Sequence, residues 1–326
     1  MYDQLNIFDI TLPDFKIDKP IRLIELFAGI GSQAMALRDL GADFEHYRAV
    51  ELDRFAIRSY NAIHGTNFRT SDITKLSGRD LGIVDTGSYC YIMTYSFPCQ
   101  DLSVAGKQKG MAKGGGTRSG LLWEVERLLN ECGELPQVLL MENVPQVHSK
   151  TNMPDFRKWM DFLKGKGYSN YWQDLNAKDY GVAQNRSRCF MVSLLGSFNY
   201  KFPSPFPLEK KMKDYLEDDV GEGFYILTEK AGKLVDELIK NGTLDPKHDF
   251  VMEGNFNQRG KVRGEGSICR TIFGGGHAGN EPKVCIDLTD KEPSEKKVCS
   301  CITAKDRGIS NRRSEGNGVV EWKKED

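Results

Sequence analysis

Short apolar runs separated by longer stretches of mixed periodicity dominate the first two hundred residues. Ile21 to Phe27 is a compact apolar run of strand length. The glycine-bearing turn Ala28-Gly29-Ile30-Gly31 follows, and then a helix-type pattern from Ser32 to Leu40 that Gly41 ends. His46–Val50 reads as a second strand, Asp53–His64 as a second helix, and Val84–Tyr95 as strand material. From Ser119 to Cys132 the apolar residues fall at 121, 122, 125, 128, 129 and 132, the spacing of one helix face. Val138–Met141, Phe156–Lys166 and Arg188–Leu195 continue as strand, helix and strand. Strands alternating with helices predict an α/β fold, a mostly parallel sheet with helices on both faces.

After Phe198 the pattern changes. Pro203, Pro205 and Pro207 lie close together, and a charged helix is predicted over Thr228–Lys240. Glycine-rich loops with short β-type runs come next. The predicted organisation is an arm over 1–20, a large α/β domain over 21–198 and a smaller loop-rich region over 199–326.

Composition adds limits. With 326 residues, 39% hydrophobic and 28% charged, the chain is long enough for one large and one small domain. No apolar stretch reaches the length of a membrane span and the first residues lack a signal layout, so the expected location is the cytoplasm. The eight cysteines are dispersed, without a Cys-x-x-Cys pair, and Cys299-Ser300-Cys301 has no histidine nearby. Reduced thiols and no metal site are expected. A net charge of −1 conceals local patches. Lys107, Lys109, Lys113 and Arg118 fall in a stretch without acids, and Arg259, Lys261, Arg263 and Arg270 face only Glu265. Glycine-rich basic loops suit phosphate contact because the backbone approaches closely.

Four constellations carry chemistry. Phe27-Ala28-Gly29-Ile30-Gly31 lies between a strand and a helix, where backbone can meet a ligand. Glu51 ends the next strand and is placed to accept ribose hydroxyls, and Asp72 in the following loop is placed for an adenine amino group. Taken alone, this trio is equally an ordinary βα turn. Ser96-Phe97-Pro98-Cys99-Gln100 presents a thiol at a strand end, either as a nucleophile or as a small buried hydrophobe. Met141-Glu142-Asn143-Val144 puts an acid where a parallel strand leaves the sheet. In Gln184-Asn185-Arg186-Ser187-Arg188, strand alternation predicts both arginines on one face, with a salt-bridged strand start as the alternative.

In this order and spacing, together with Arg118-Ser119-Gly120-Leu121, these motifs closely resemble the cytosine-5 DNA methyltransferase family from about Ile21 to Val192. The resemblance implies the Rossmann-like fold of S-adenosylmethionine-dependent methyltransferases with an added target-recognition region. It implies S-adenosylmethionine held at Phe27, Ala28, Gly29, Gly31, Glu51, Asp72 and Pro98, and catalysis by Cys99, Glu142, Arg186 and Arg188. Gln100, Ser103, Lys107, Arg118, Gln184, Arg259 and Arg263 are the expected contacts to double-stranded DNA. Cysteine attack on carbon 6 would make carbon 5 of a flipped-out cytosine nucleophilic.

The family usually closes with an Arg-Leu-x-x-x-Glu-type helix and a Gly-Asn-x-hydrophobic motif. Gly316-Asn317-Gly318-Val319-Val320 resembles the latter only superficially. The sequence therefore carries an alternative, a truncated or split chain that binds DNA or a complementing C-terminal fragment without activity of its own. Two related enzymes fit less well. A tRNA cytosine methyltransferase would carry a Cys-Phe-Thr signature, and an amino-group methyltransferase a Pro-Pro-aromatic motif.

Overall fold

A computed structural model describes residues 12–102 and 110–210. Beyond these it describes positions 214, 233, 236, 237, 239 and 240 and the short strands 250–253, 261–264, 269–270 and 282–285. The chain divides into two compact units, Met1–Leu175 with Ser187–Pro203, and Asn176–Arg186 with Ser204–Asp326.

The first unit is built on a six-stranded sheet. Its strands are β1 (Ile21–Leu26), β2 (Phe44–Val50), β3 (Cys90–Tyr95), β4 (Val138–Asn143), β5 (Tyr168–Asn176) and β7 (Ser187–Leu195), with the two-residue β6 (Gln184–Asn185) between the last two in sequence. The order across the sheet is β2-β1-β3-β4-β7-β5. β2, β1, β3 and β4 run parallel, and β7 enters antiparallel to β4. The chain leaves β1 toward β2 on one side and returns to β3 on the other. The crevice at the carboxyl ends of β1 and β3 is thus the switch point, where open α/β sheets bind ligands.

Helices cover both faces. Strand alternation sends Leu23 and Ile92 to one face, beneath Ala34 and Leu37 of α1 (Ser32–Asp39). Ile24, Leu26, Tyr91, Met93 and Tyr95 go to the other, under α3 (Leu122–Glu131) and α4 (Met153–Gly165). All six residues of β3 are buried, as expected for a central strand covered on both sides. Between α1 and α3 lies α2 (Arg54–His64), started by the Asp53 carboxylate, which accepts from Phe55 N at 2.7 Å, and ended by Gly65 in the left-handed region.

Aromatic packing anchors α4 to the sheet. Trp159 is fully buried and donates from Nε1 to the Tyr95 hydroxyl at 3.0 Å. Removing the indole leaves a cavity and an unpaired buried hydroxyl. Trp159→Ala is expected to cost about 3–5 kcal/mol, read as a lowered urea midpoint at unchanged slope.

Two expectations change. Val84–Tyr89 is not strand, because Asp85 takes φ 57° and turns the chain, and Glu134 accepts from the Asp85 and Thr86 amides at 3.0 and 2.9 Å. The segment Gln184–Arg188 is not one extended run. It breaks at Arg186, whose N–H donates to Gln184 O at 3.1 Å and to Asn176 Oδ1 at 3.0 Å. Backbone and capping bonds win there over simple alternation, so continuous alternation does not align the two arginines.

The arm is tied down where described: Asn199 N donates to Pro13 O at 2.9 Å and Phe15 packs edge-on against Phe198. In the second unit β6 pairs in parallel with β10 (Cys269–Arg270). There β8 (Phe250–Glu253) pairs antiparallel with both β9 (Lys261–Gly264) and β11 (Pro282–Cys285). Lys233, Asp236, Glu237, Ile239 and Lys240, within the predicted 228–240 helix, are helical.

Candidate active site

Strand register puts three of the four predicted constellations in one row. Leu26 pairs with Val50 on one side and with Tyr95 on the other, and Tyr95 pairs with Met141. The next residues along these strands are therefore Phe27, Glu51, Ser96 and Glu142, side by side at the carboxyl edge.

The turn after β1 is conformationally costly. Phe27 adopts φ 58°, unusual for a residue with a side chain, while Gly29 and Gly31 take φ 56° and 82°. Ala28 N bonds to Val50 O at 3.1 Å and Gly31 N to Ala28 O at 2.9 Å, which fixes the loop to β2 and closes it. The two glycines differ in role. A Cβ on Gly31 would drive into His64 and Tyr60 of α2, whereas a Cβ on Gly29 would meet nothing within 4 Å. Gly31 serves internal packing and Gly29 faces open space. Gly31→Ala is expected to lower the melting temperature well below that of Gly29→Ala, which carries the backbone penalty of about 1–2 kcal/mol without the clash.

Glu51 grips this turn. Its Oε2 accepts from Gly29 N at 2.9 Å and its Oε1 from Asp53 N at 2.8 Å. Ser71 N bonds to Glu51 O at 2.8 Å, which brings the Asp72 loop to the same edge. Asp72 accepts from Thr74 Oγ1 at 2.7 Å and Thr74 N at 3.0 Å, so it caps a short 3-10 turn. These bonds from Thr74 hold its carboxyl below the usual range. Leu52, beside Glu51, is 69% exposed, an apolar surface that strand periodicity did not single out.

Below the turn Glu25 is fully buried and accepts from Tyr60 Oη at 2.6 Å and Ala34 N at 3.3 Å. Burial raises its pKa despite these donors.

Cys99 leaves the end of β3 half-buried, packed against the main core. Two buried side chains hold the carbonyls just ahead of it. Asn143 Nδ2 donates to Phe97 O at 2.9 Å, and Ser119 Oγ to Pro98 O at 2.6 Å. Asn143 and Ser119 are 2% and 0% exposed. Both sit inside motifs noted in the sequence, yet their positioning role was not legible, because it depends on which carbonyl each reaches. Among the described residues Cys90, Cys99, Cys132 and Cys189 are all reduced.

Glu142 and Arg188 form an ion pair, Arg188 Nε to Glu142 Oε1 at 2.9 Å, with side chains 21% and 14% exposed. Antiparallel register explains the pairing: Glu142 lies opposite Phe190, so Arg188 is its diagonal neighbour on the same face. Gln184 and Arg186 fall in the second unit, and Gln184 pairs with Cys269.

Beyond Cys99 the exposed Gln100 accepts from Arg118 Nη1. Asp101 closes the foot of the following loop, its carboxylate accepting from Arg118 N at 2.8 Å and its carbonyl from Gly110 N at 3.0 Å. Lys113 is paired with Glu126 at 2.8 Å, which lessens that loop's net positive charge. Ser103, Lys107 and Arg259 lie outside the described residues, and Arg263 lies on β9 opposite Val251.

A glycine turn at the switch point, an acid on the neighbouring strand, a half-buried cysteine past the end of β3 and a Glu–Arg ion pair together make an α/β site with room for a ligand and a nucleophile. The family described as "C-5 cytosine-specific DNA methylase" matches residues 21–312. The chain belongs to this family. It is 33% identical over 267 residues to the type II methyltransferase M2.ScrFI of Lactococcus lactis subsp. cremoris, covering 67% of this chain and 73% of that protein. It is 36% identical over 301 residues to the orphan methyltransferase M.SssI of Spiroplasma monobiae, covering 75% and 77%. Among solved structures, the S. pombe Dnmt2 methyltransferase aligns with a TM-score of 0.50 at 23% identity, covering 68% of this chain and 65% of that one. The Entamoeba histolytica methyltransferase EhMeth aligns at 0.52 and 18%, covering 66% and 65%. The fold is thus the Rossmann-like one of methyltransferases. Among the described residues no helix is long and apolar enough to cross a membrane.

Proposed function

We propose that the chain transfers a methyl group from S-adenosylmethionine to carbon 5 of cytosine in double-stranded DNA, through a covalent adduct at Cys99. The observation that carries this reading is the single row of strand ends bearing the Phe27 turn, Glu51, the Cys99 loop and the Glu142–Arg188 pair.

The residues fit the cofactor. Gly29 leaves room for close approach, Glu51 keeps lone pairs beyond its two backbone bonds for ribose hydroxyls, and the exposed Leu52 offers an apolar surface to a purine. S-adenosylmethionine supplies an electrophilic methyl on a sulfonium. Gly29→Ala is expected to weaken cofactor binding by about tenfold or more while the protein stays folded, measured by isothermal titration.

Carbon 5 of cytosine is too weak a nucleophile to take that methyl unaided. The Cys99 thiolate adds to carbon 6, and Glu142 hydrogen-bonds N3 and stabilises the electron pair that moves into the ring. Arg188 donates to the base carbonyl. Carbon 5 gains the methyl and then loses its proton to a base. The electron pair left behind expels the Cys99 thiolate and restores the double bond. A stacked base cannot reach Cys99, so the cytosine leaves the duplex. Gln100 and Arg118, exposed beside Cys99, face the DNA, and the second unit, with Gln184, Arg186, Arg259 and Arg263, reads its sequence. Bisulfite sequencing of DNA from cells expressing the chain tests this reading. Protected cytosines in one recurring sequence support it, and none at all, with the folded protein present, contradicts it.

A further inference from the structure

Cys189 follows Arg188 on β7 and lies opposite Asn143, so strand alternation turns it to the face away from the Glu142–Arg188 pair. There it meets two ligand-type side chains from separate elements. His148 ends the 3-10 turn Pro145–His148, and Asp174 sits on the edge strand β5. The imidazole, carboxylate and sulfur ligand atoms all lie within 4.8 Å of one another. His148 Nε2 stands 2.9 and 3.0 Å from the two Asp174 oxygens.

Access is graded. Cys189 is fully buried, while the His148 and Asp174 side chains are 22% and 40% exposed. An ion can therefore enter from the Asp174 side and end against the sulfur. Tetrahedral zinc holds sulfur at about 2.3 Å and nitrogen or oxygen at about 2.0–2.2 Å, which places ligand atoms about 3–4 Å apart. Small rotations of His148 and Asp174, both partly exposed, supply that contraction.

We propose that His148, Asp174 and Cys189 form a binding site for a thiophilic divalent cation of the zinc type, with its fourth position open to solvent. The thiol explains the preference for a soft ion over magnesium or calcium. The three ligands are 26 and then 15 residues apart, outside any compact metal-binding spacing, so spacing alone does not reveal them.

The test titrates the reduced, full-length chain with Cd2+ and reads the thiolate-to-metal charge-transfer absorption, with Zn2+ as competitor. Because the chain has eight cysteines, the deciding variants are His148→Gln and Asp174→Asn, which leave every thiol in place. The wild type is expected to saturate one tight site with one equivalent. Each of these two variants should lose about tenfold or more in affinity. Cys189→Ser should remove the one-equivalent absorption, while Cys99→Ser should leave it unchanged. Trp172, whose ring lies 4.7 Å from His148, gives a second readout through its emission over the same equivalent. Absence of a tight equivalent in the wild type overturns the site. So does wild-type affinity in both deciding variants, which would leave a hydrogen-bonded cluster only. The readouts are binding signals and stand apart from methyl transfer, and circular dichroism confirms that each variant is folded.

Discussion

Cys99→Ser is expected to lower single-turnover methyl transfer by about 10^4-fold or more, with DNA binding within a few-fold of wild type. A serine hydroxyl is a far poorer nucleophile than a thiolate near neutral pH, and nothing else in the site replaces the bond to carbon 6. The fold should tolerate the change. Cys99 is only half-buried, and the carbonyls before it are held by Asn143 and Ser119 rather than by the sulfur. A melting temperature near that of wild type, beside lost transfer, assigns the deficit to chemistry. Equal loss of DNA binding would instead point to a disturbed surface.

Glu142→Gln is expected to slow transfer by about 10^2–10^4-fold, the usual range for removing a positioned acid. The amide keeps an oxygen for Arg188 Nε, so the 2.9 Å contact has a neutral substitute. It cannot pass a proton to the base edge. Single-turnover rates with saturating DNA and cofactor isolate this term. The expected signature is a fall in rate with little change in either dissociation constant. A large rise in the DNA dissociation constant at unchanged rate would make Glu142 a binding residue alone.

The parallel core was readable because its strands are short apolar runs between periodic helices. The 121, 122, 125, 128, 129 spacing did become α3, preceded by a 3-10 turn over Ser119–Leu121. β5 was missed, and its composition shows why. Tyr168–Asn176 is an edge strand with a largely exposed middle, so it lacks the alternation that marks a half-buried strand. The reversed direction of β7 was also hidden, since an apolar run reads alike either way.

The candidate site is legible in its proposed reacting groups more than in their supports. Glu51, Cys99 and Glu142 stand at strand ends where polar residues are otherwise out of place. Asn143 and Ser119 act through single carbonyls that no spacing reveals. Gly29 and Gly31 look equivalent in sequence, and only the packing of His64 and Tyr60 separates them.

Methyl transfer as proposed requires that Cys99 bond covalently to cytosine. The most direct measurement of that bond is mass spectrometry of the complex trapped on duplex DNA containing 5-fluorocytosine at the target, with S-adenosylmethionine present. Fluorine at carbon 5 blocks the final proton loss, so the adduct cannot eliminate. A stable protein–DNA adduct attached at Cys99 and absent from Cys99→Ser is expected. Attachment at another residue, or no adduct from protein that methylates the unsubstituted duplex, would contradict that expectation.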